Sequence, residues 1–254
     1  MKNFDEVLKN LKLLSDPKNL EGMSKFGIDV KSALGVPLPK LRKLAKDIGA
    51  NHKLALQLWD SNIHEAQILA SMIDDPNQVT EKQMEKWVKD FYSWDQCDQV
   101  CSNLFDKTCL AYDKAKEWSK RNEEFEKRAG FVLMATLAVH DKRAGDRNFI
   151  QFLPLIKKES IDDRNYVKKA VNWALRQIGK RNLLLNERAI DIAEKIQKID
   201  SKSAKWIASD AIRELKNKEL IKRLYAKKMK LINYVNKKRV NINIVKIKRV
   251  VDKD

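Results

Sequence analysis

The sequence predicts an all-α protein whose helices stack in a single row, an α-solenoid, and three observations carry that expectation. Glycine and proline number only 7 and 5 in 254 residues, so turn signals are too scarce for a barrel or a sandwich. Lys, Leu, Ala and Ile are among the most frequent residues, which suits helices. Similar segments also recur along the chain, each with a charged or bulky residue before a small-plus-apolar helical run. Four of them read HEAQILASMI from His64, KRAGFVLMATL from Lys127, KKAVNWALRQI from Lys168 and KWIASDAIREL from Lys205. Between the first two lies another amphipathic segment, WDQCDQVCSNLF, from Trp94.

In chain order, residues 3–34 read as short helices broken near Asp16-Pro17 and at Gly27. Gly35-Val36-Pro37-Leu38-Pro39 reads as a turn, since two prolines forbid a helix through it and favour one just after, over Leu41 to Ile48. Anchored on Ala66, Gln99, Ala129, Ala170 and Ile207, the recurring segments lie 33, 30, 41 and 37 residues apart. Each interval has room for two helices and a turn, which is the period of HEAT-like helical repeats. An irregular helical bundle is the competing architecture. One solenoid domain is expected over residues 1–228, followed by a basic tail over 229–254. In that tail Val240-Asn241-Ile242-Asn243-Ile244 alternates with a period near two, as a short strand would, and a disordered basic tail is the other reading.

The formal net charge is +17, but its location limits what it means. Residues 216–254 hold 14 Lys/Arg against 3 Asp/Glu, and the other 215 residues hold 38 against 32. A polyanionic partner must therefore be argued from the placement of charge in the body of the chain. The three cysteines, Cys97, Cys101 and Cys109, are odd in number, and no leader or long apolar run accompanies them. A reduced, cytoplasmic protein without a membrane span is expected. The cysteine spacing matches no zinc pattern and only three histidines exist, so neither a metal nor a cofactor is expected.

Three helices carry candidate chemistry. On the helix from Asn165 to Lys180, Val167, Ala170, Val171, Ala174 and Ile178 form the core side, while Lys169, Asn172, Trp173, Arg176 and Lys180 share the opposite arc. A tryptophan amid cations and an asparagine offers a stacking surface beside phosphate-neutralising and hydrogen-bonding groups. A tryptophan buried against a neighbouring helix would produce the same pattern. On the helix after Ser93, Asp95, Gln96, Gln99, Ser102 and Asn103 share the polar side, and Trp94, Cys97, Asp98, Cys101 and Phe105 the other. Asp98 is an acid on an apolar face one turn after Trp94, which is costly unless the group is paired or faces a cleft. The third helix, Arg128 to Val139, is apolar nearly all round and so expected to be central. Arg128 could pair with Asp98 or clamp a phosphate. In a solenoid the second helices of successive repeats line one face, so Asp98, Arg128 and Trp173 can share a groove wide enough for a duplex.

These residues also resemble a known family. Gly35-Val36-Pro37 with Lys40-Leu41-Arg42, Trp94-Asp95-Gln96-Cys97-Asp98, Lys127-Arg128-Ala129-Gly130, and the run from Lys168 to Arg176 are similar in order and placement to the HEAT-like-repeat DNA glycosylases of the AlkD family. The resemblance covers about Met23 to Leu215. It implies removal of 3-methyladenine and 7-methylguanine from duplex DNA by a cofactor-free monomer. It also implies that Trp94 and Trp173 flank the deoxyribose, that Asp98 lies beside the carbon that loses the base, and that Arg128 and Arg176 hold the neighbouring backbone. Phe26 stands at a DNA-contacting position where relatives carry a tyrosine, so one hydroxyl contact would be lost. A non-catalytic nucleic-acid binder on the same scaffold is the strongest alternative, and would not need Asp98; a protein-binding HEAT adaptor, with the charges as a solvated surface, is a second.

Overall fold

The computed structural model describes residues 3–230 and 233. In chain order the helices are α1 (Phe4–Leu13), α2 (Pro17–Lys25), α3 (Leu38–Ile48), α4 (His52–Asp60), α5 (His64–Ile73), α6 (Glu81–Lys89) and α7 (Trp94–Asn103). They continue as α8 (Ala111–Trp118), α9 (Glu124–His140), α10 (Arg147–Ile150), α11 (Leu153–Glu159), α12 (Asn165–Gly179), α13 (Leu183–Gln197) and α14 (Lys202–Leu215). Residues 218–230 are helical as well, and no strand occurs among the described residues. The alternating stretch Val240 to Ile244 lies outside them. Within the described residues no helix is long and apolar enough to cross a membrane.

Local chemistry explains most helix starts. Asn3 and Glu6 form a reciprocal capping box at α1, while Thr80, Asn182 and Ser201 cap α6, α13 and α14 with their side chains. α3 begins at Leu38, earlier than the prolines suggested, with Pro39 in its first turn. The missing N–H costs nothing there, because the first turn has no intrahelical acceptor for it.

The five recurring segments are α5, α7, α9, α12 and α14, and they form one row. α3 packs on α5, α5 on α7, α7 on α9, α9 on α12, and α12 on α14. A second layer backs it: α4 lies on α5, α8 on α9, and α13 on both α12 and α14. α9 is the middle member, buried without a break from Lys127 to Ala138. Aromatic packing joins α4 to α6, with Trp59 and Trp87 stacked at a centroid distance of 3.9 Å.

One expected face is corrected by this packing. Gln96, placed on a polar side of α7, is fully buried, because α7 is held between α5 and α9. Its amide donates to Gln67 Oε1 at 2.6 Å and its oxygen accepts from the Tyr92 N–H at 3.2 Å, so the burial leaves neither polar end unpaired. Phe105 falls beyond α7 in a short 3-10 turn.

The turn before α3 is held by a buried acid. Glu65 in the first turn of α5 accepts from the N–H groups of Leu34 (2.8 Å), Gly35 (2.7 Å) and Val36 (3.1 Å). Gly35 adopts φ +75°, and a Cβ there would lie 2.2 Å from the Asp16 carbonyl oxygen, so the position admits only glycine.

A second ionic cluster ties α6, α8 and the start of α9. The nearly buried Lys114 donates to Glu81, Glu85 and Glu117, and Arg121 donates to Glu85, Glu117 and Glu126. Burial disfavours the charged form of Glu85, but hydrogen bonds from Lys114, Trp118 and Arg121 outweigh it and hold its pKa at about 2, against an ordinary 4.5. A depressed folded-state value means the stabilisation is complete above pH 4.5 and is lost as pH falls towards 2. Melting temperatures measured across that window should show the gap between wild type and Glu85→Gln closing as pH falls. A constant gap would mean that Glu85 acts only through packing.

Candidate functional site

The candidate residues come from three successive helices of the inner row. Trp94 opens α7 and Asp98 follows one turn later on the same face. Arg128 of α9 reaches both oxygens of Asp98, its Nε donating to Oδ1 at 2.9 Å and its Nη2 to Oδ2 at 2.8 Å. The remaining nitrogen, Nη1, donates to the backbone oxygen of Tyr166 on α12 at 2.6 Å. One arginine thus joins α7, α9 and α12. Of the two roles open to Arg128, the structure has it paired with Asp98: its side chain is only 7 % exposed and all three nitrogens are engaged within the protein.

The fork-to-carboxylate geometry, with both oxygens accepting, is that of an ionised pair. Burial pushes the Asp98 carboxyl above its usual range, against the opposing pull of Arg128. Burial likewise disfavours the guanidinium charge, but Asp98 outweighs it and keeps Arg128 firmly protonated. The Asp98 side chain retains 17 % of its surface, so the residue is fixed in orientation without being wholly enclosed.

The segment just after α2 is held beside this pair. Trp94 Nε1 donates to the Phe26 carbonyl at 3.1 Å, and the Tyr166 hydroxyl donates to the Gly27 carbonyl at 2.9 Å. Two aromatic side chains from different helices therefore pin one short segment, and the Phe26 ring is left 76 % exposed beside it. Sequence reasoning missed Tyr166. The available signal was its spacing, seven residues before Trp173 and so on the same helical face.

Trp173 lies two turns beyond Tyr166 on α12, about 10 Å along the helix axis, and is half-buried against the core. With the Gln177 amide turned so that its oxygen faces the ring, Trp173 Nε1 donates to it at 2.9 Å and Lys180 Nζ at 3.2 Å. Lys169 is exposed. The structure does not support a DNA contact by Asn172. Its side chain is buried and its amide donates to the Ile207 carbonyl of α14 at 3.1 Å, joining two inner helices. Arg176 and Lys180 are half-buried and both reach Glu214 of α14, at 2.7 and 2.8 Å, with Asp210 3.4 Å from Arg176. They are cations with partners, not bare phosphate ligands.

A polar network that the sequence did not reveal adjoins Trp94. His64 at the start of α5 is buried, with Nδ1 2.9 Å from the Tyr92 hydroxyl and Nε2 2.9 Å from Asp95 Oδ2. Tyr92 reaches Ser32, and Ser93 donates to Asp95. Burial works against the Asp95 charge, but hydrogen bonding and attraction from His64, with the Ser93 bond, hold its carboxyl below the usual range. The network fixes the start of α7, and with it Trp94.

Chemically, the assembly offers an oriented carboxylate, an aromatic wall one turn away, and a second tryptophan along the next helix but one.

Comparison with known proteins agrees with this architecture. The chain is 24% identical over 204 residues to the uncharacterized protein Lin0241 of Listeria innocua, covering 78% of this chain and 88% of that one. It is 23% identical over 204 residues to the uncharacterized protein Lmo0209 of Listeria monocytogenes, with the same coverage. A solved structure, described as a new family of proteins related to the HEAT-like repeat DNA glycosylases with affinity for branched DNA structures, superposes with a TM-score of 0.69 at 21% identity, covering 84% of this chain and 95% of that chain. That likeness establishes the fold, a row of HEAT-like repeats. The family model described as DNA alkylation repair enzyme matches residues 7–226. The chain belongs to the DNA alkylation repair enzyme family.

Proposed function

We propose that the protein is a DNA glycosylase that hydrolyses the N-glycosidic bond of cationic alkylated purines, 3-methyladenine and 7-methylguanine, in duplex DNA. The observation that carries this reading is the Asp98 carboxylate, held by Arg128 one turn from Trp94 in a side chain that is not wholly enclosed. A purine alkylated at N3 or N7 already carries a positive charge. When the bond to the sugar breaks, its electron pair goes to the base, which leaves neutral without needing a general acid. Positive charge then builds on the sugar, where a carboxylate and electron-rich aromatic faces stabilise it. Water adds its hydroxyl to that carbon and releases its proton to solvent. In this reading Asp98 faces the sugar, Trp94 and Trp173 flank it, and Phe26 and Lys169 contact the surrounding DNA. The protein acts as a monomer in the reducing cytoplasm.

A second reading, recognition of DNA without base excision, is favoured by one feature: both Asp98 oxygens are taken by Arg128, which partly cancels the charge a sugar cation would feel. The affinity for branched DNA of the structural neighbour fits it too. The deciding experiment is release of 3-methyladenine and 7-methylguanine from methylated duplex DNA by the purified protein. Release supports excision. Tight binding with no release would leave the site a recognition surface.

Arg176 and Lys180 enter this reading as phosphate ligands masked by Glu214. Glu214→Gln should therefore tighten duplex binding and steepen its salt dependence, by up to about 0.9 in log–log slope per phosphate gained. An unchanged slope would make both cations purely structural.

A further inference from the structure

A cavity of about 990 Å³ opens at the C-terminal ends of α9 and α12, bounded by the start of α13 and by the helix over residues 218–230. Its floor is aliphatic, with Val139, Ala144, Leu183, Leu184 and Leu224 among the lining residues. Its rim carries six cations, Lys142, Lys180, Arg181, Lys227, Lys228 and Lys230, against one acid, Asp146. That acid already accepts from Asn182 Nδ2 at 2.7 Å.

Some of the cations have ordinary structural work. Arg181 donates to the carbonyls of Ala138 (3.0 Å) and Ala144 (2.8 Å) and lies over Phe149, Lys227 donates to the Arg181 carbonyl, and Lys180 pairs with Glu214. Lys142, Lys228 and Lys230 have none: all three are exposed, and none has a carboxylate partner among the described residues. The crowding is felt within the group. Burial, together with repulsion from Lys142 and Arg181, pushes the Lys227 amine below its usual range. A polyanion seated here would relieve a repulsion that the acids among the described residues do not compensate.

The cavity adjoins the candidate site. Gln177 lines it and is the group that accepts from Trp173 Nε1. A duplex passing the rim would present phosphates and sugar edges but no base face to the aliphatic floor, since its bases are stacked inside. Unpaired nucleotides present phosphates together with sugar and base surface, which matches a cationic rim over an apolar floor. The chain's own residues 231–254 are a poor match, because they carry 7 Lys/Arg against 2 Asp/Glu.

We propose that this cavity seats unpaired nucleotides of a strand leaving the duplex held at the candidate site, with the aliphatic floor against sugar and base and Lys142, Lys228 and Lys230 against phosphate. The inference rests on the DNA reading above. The test is fluorescence anisotropy over a salt series with three labelled probes: a blunt duplex, the same duplex with a single-stranded tail, and the free single strand. Each is measured with wild type and with Lys142→Glu/Lys228→Glu. The tailed duplex should bind wild type about tenfold more tightly than the blunt one, with a slope steeper by about 2, since each single-strand phosphate contact contributes roughly 0.7. The double variant should lose both advantages and keep wild-type binding of the blunt duplex. Equal binding of blunt and tailed duplex by wild type would overturn the proposal, as would an advantage that survives in the variant. Competition by polyglutamate as effective as by an oligonucleotide of equal charge would also overturn it, in favour of an acidic peptide. If the blunt duplex does not bind at all, the DNA reading of the groove fails separately. Lysine-dependent binding of the free strand would then still support the cavity assignment, and its absence would end it.

Discussion

Asp98→Asn is expected to abolish detectable release of methylated purines, a loss of about 10²-fold or more if the carboxylate stabilises charge on the sugar. It is also expected to cost about 3 kcal/mol of stability, because the variant leaves the buried Arg128 guanidinium without its counter-charge. The single variant therefore confounds chemistry with folding. The double variant Asp98→Asn/Arg128→Met separates them. Removing both charges takes away the unpaired buried cation, so thermal stability should return to within about 1 kcal/mol of wild type, while release stays absent. Recovery of release along with stability would show that the pair matters only for the fold, and would sink the catalytic role of Asp98. Loss of stability without recovery in the double variant would point to the bond between Arg128 and the Tyr166 carbonyl as the more important contact.

Glu65→Ala should cost about 3 kcal/mol or more, since three buried or half-buried N–H donors lose their acceptor together. The effect should not stop at stability. The Leu34-Gly35-Val36 turn that Glu65 holds anchors one end of the segment whose other end, at Phe26 and Gly27, receives hydrogen bonds from Trp94 and Tyr166. Hydrogen exchange should therefore accelerate across residues 26–36 first, before the inner helices are affected. Uniform acceleration over the whole chain would instead mean that the segment is not a separate unit, and that Glu65 acts on global stability alone.

The inner row was legible because each of its helices is packed by neighbours on more than one side. Burial on one side imposes a 3.6-residue apolar period on a helix, and the segments of α7, α12 and α14 carry it. The central position of α9 followed from the same cause, since a helix enclosed all round has no polar stripe. Asp98 stood out for an electrostatic reason: an acid on an apolar face must be paired or functional, and the sequence offered Arg128 as its partner without deciding the matter.

Tertiary contacts decided the rest, because a helical wheel gives the direction of a side chain and not what stands opposite it. Asn172, Arg176 and Lys180 share one arc of α12. α14 meets that arc with the Ile207 carbonyl for the first and with Glu214 for the other two, 34 to 38 residues away. The same arc thus became a helix–helix seam along part of its length. Tyr166 and Gly27 are 139 residues apart and Trp94 and Phe26 are 68 apart, so no local period could announce that the segment just after α2 is held beside the Asp98–Arg128 pair. Composition and periodicity were enough for the all-α row of repeats and the order of its helices. The partner of each charge, and so which cations remain available to a polyanion, depended on carboxylates brought in from distant helices.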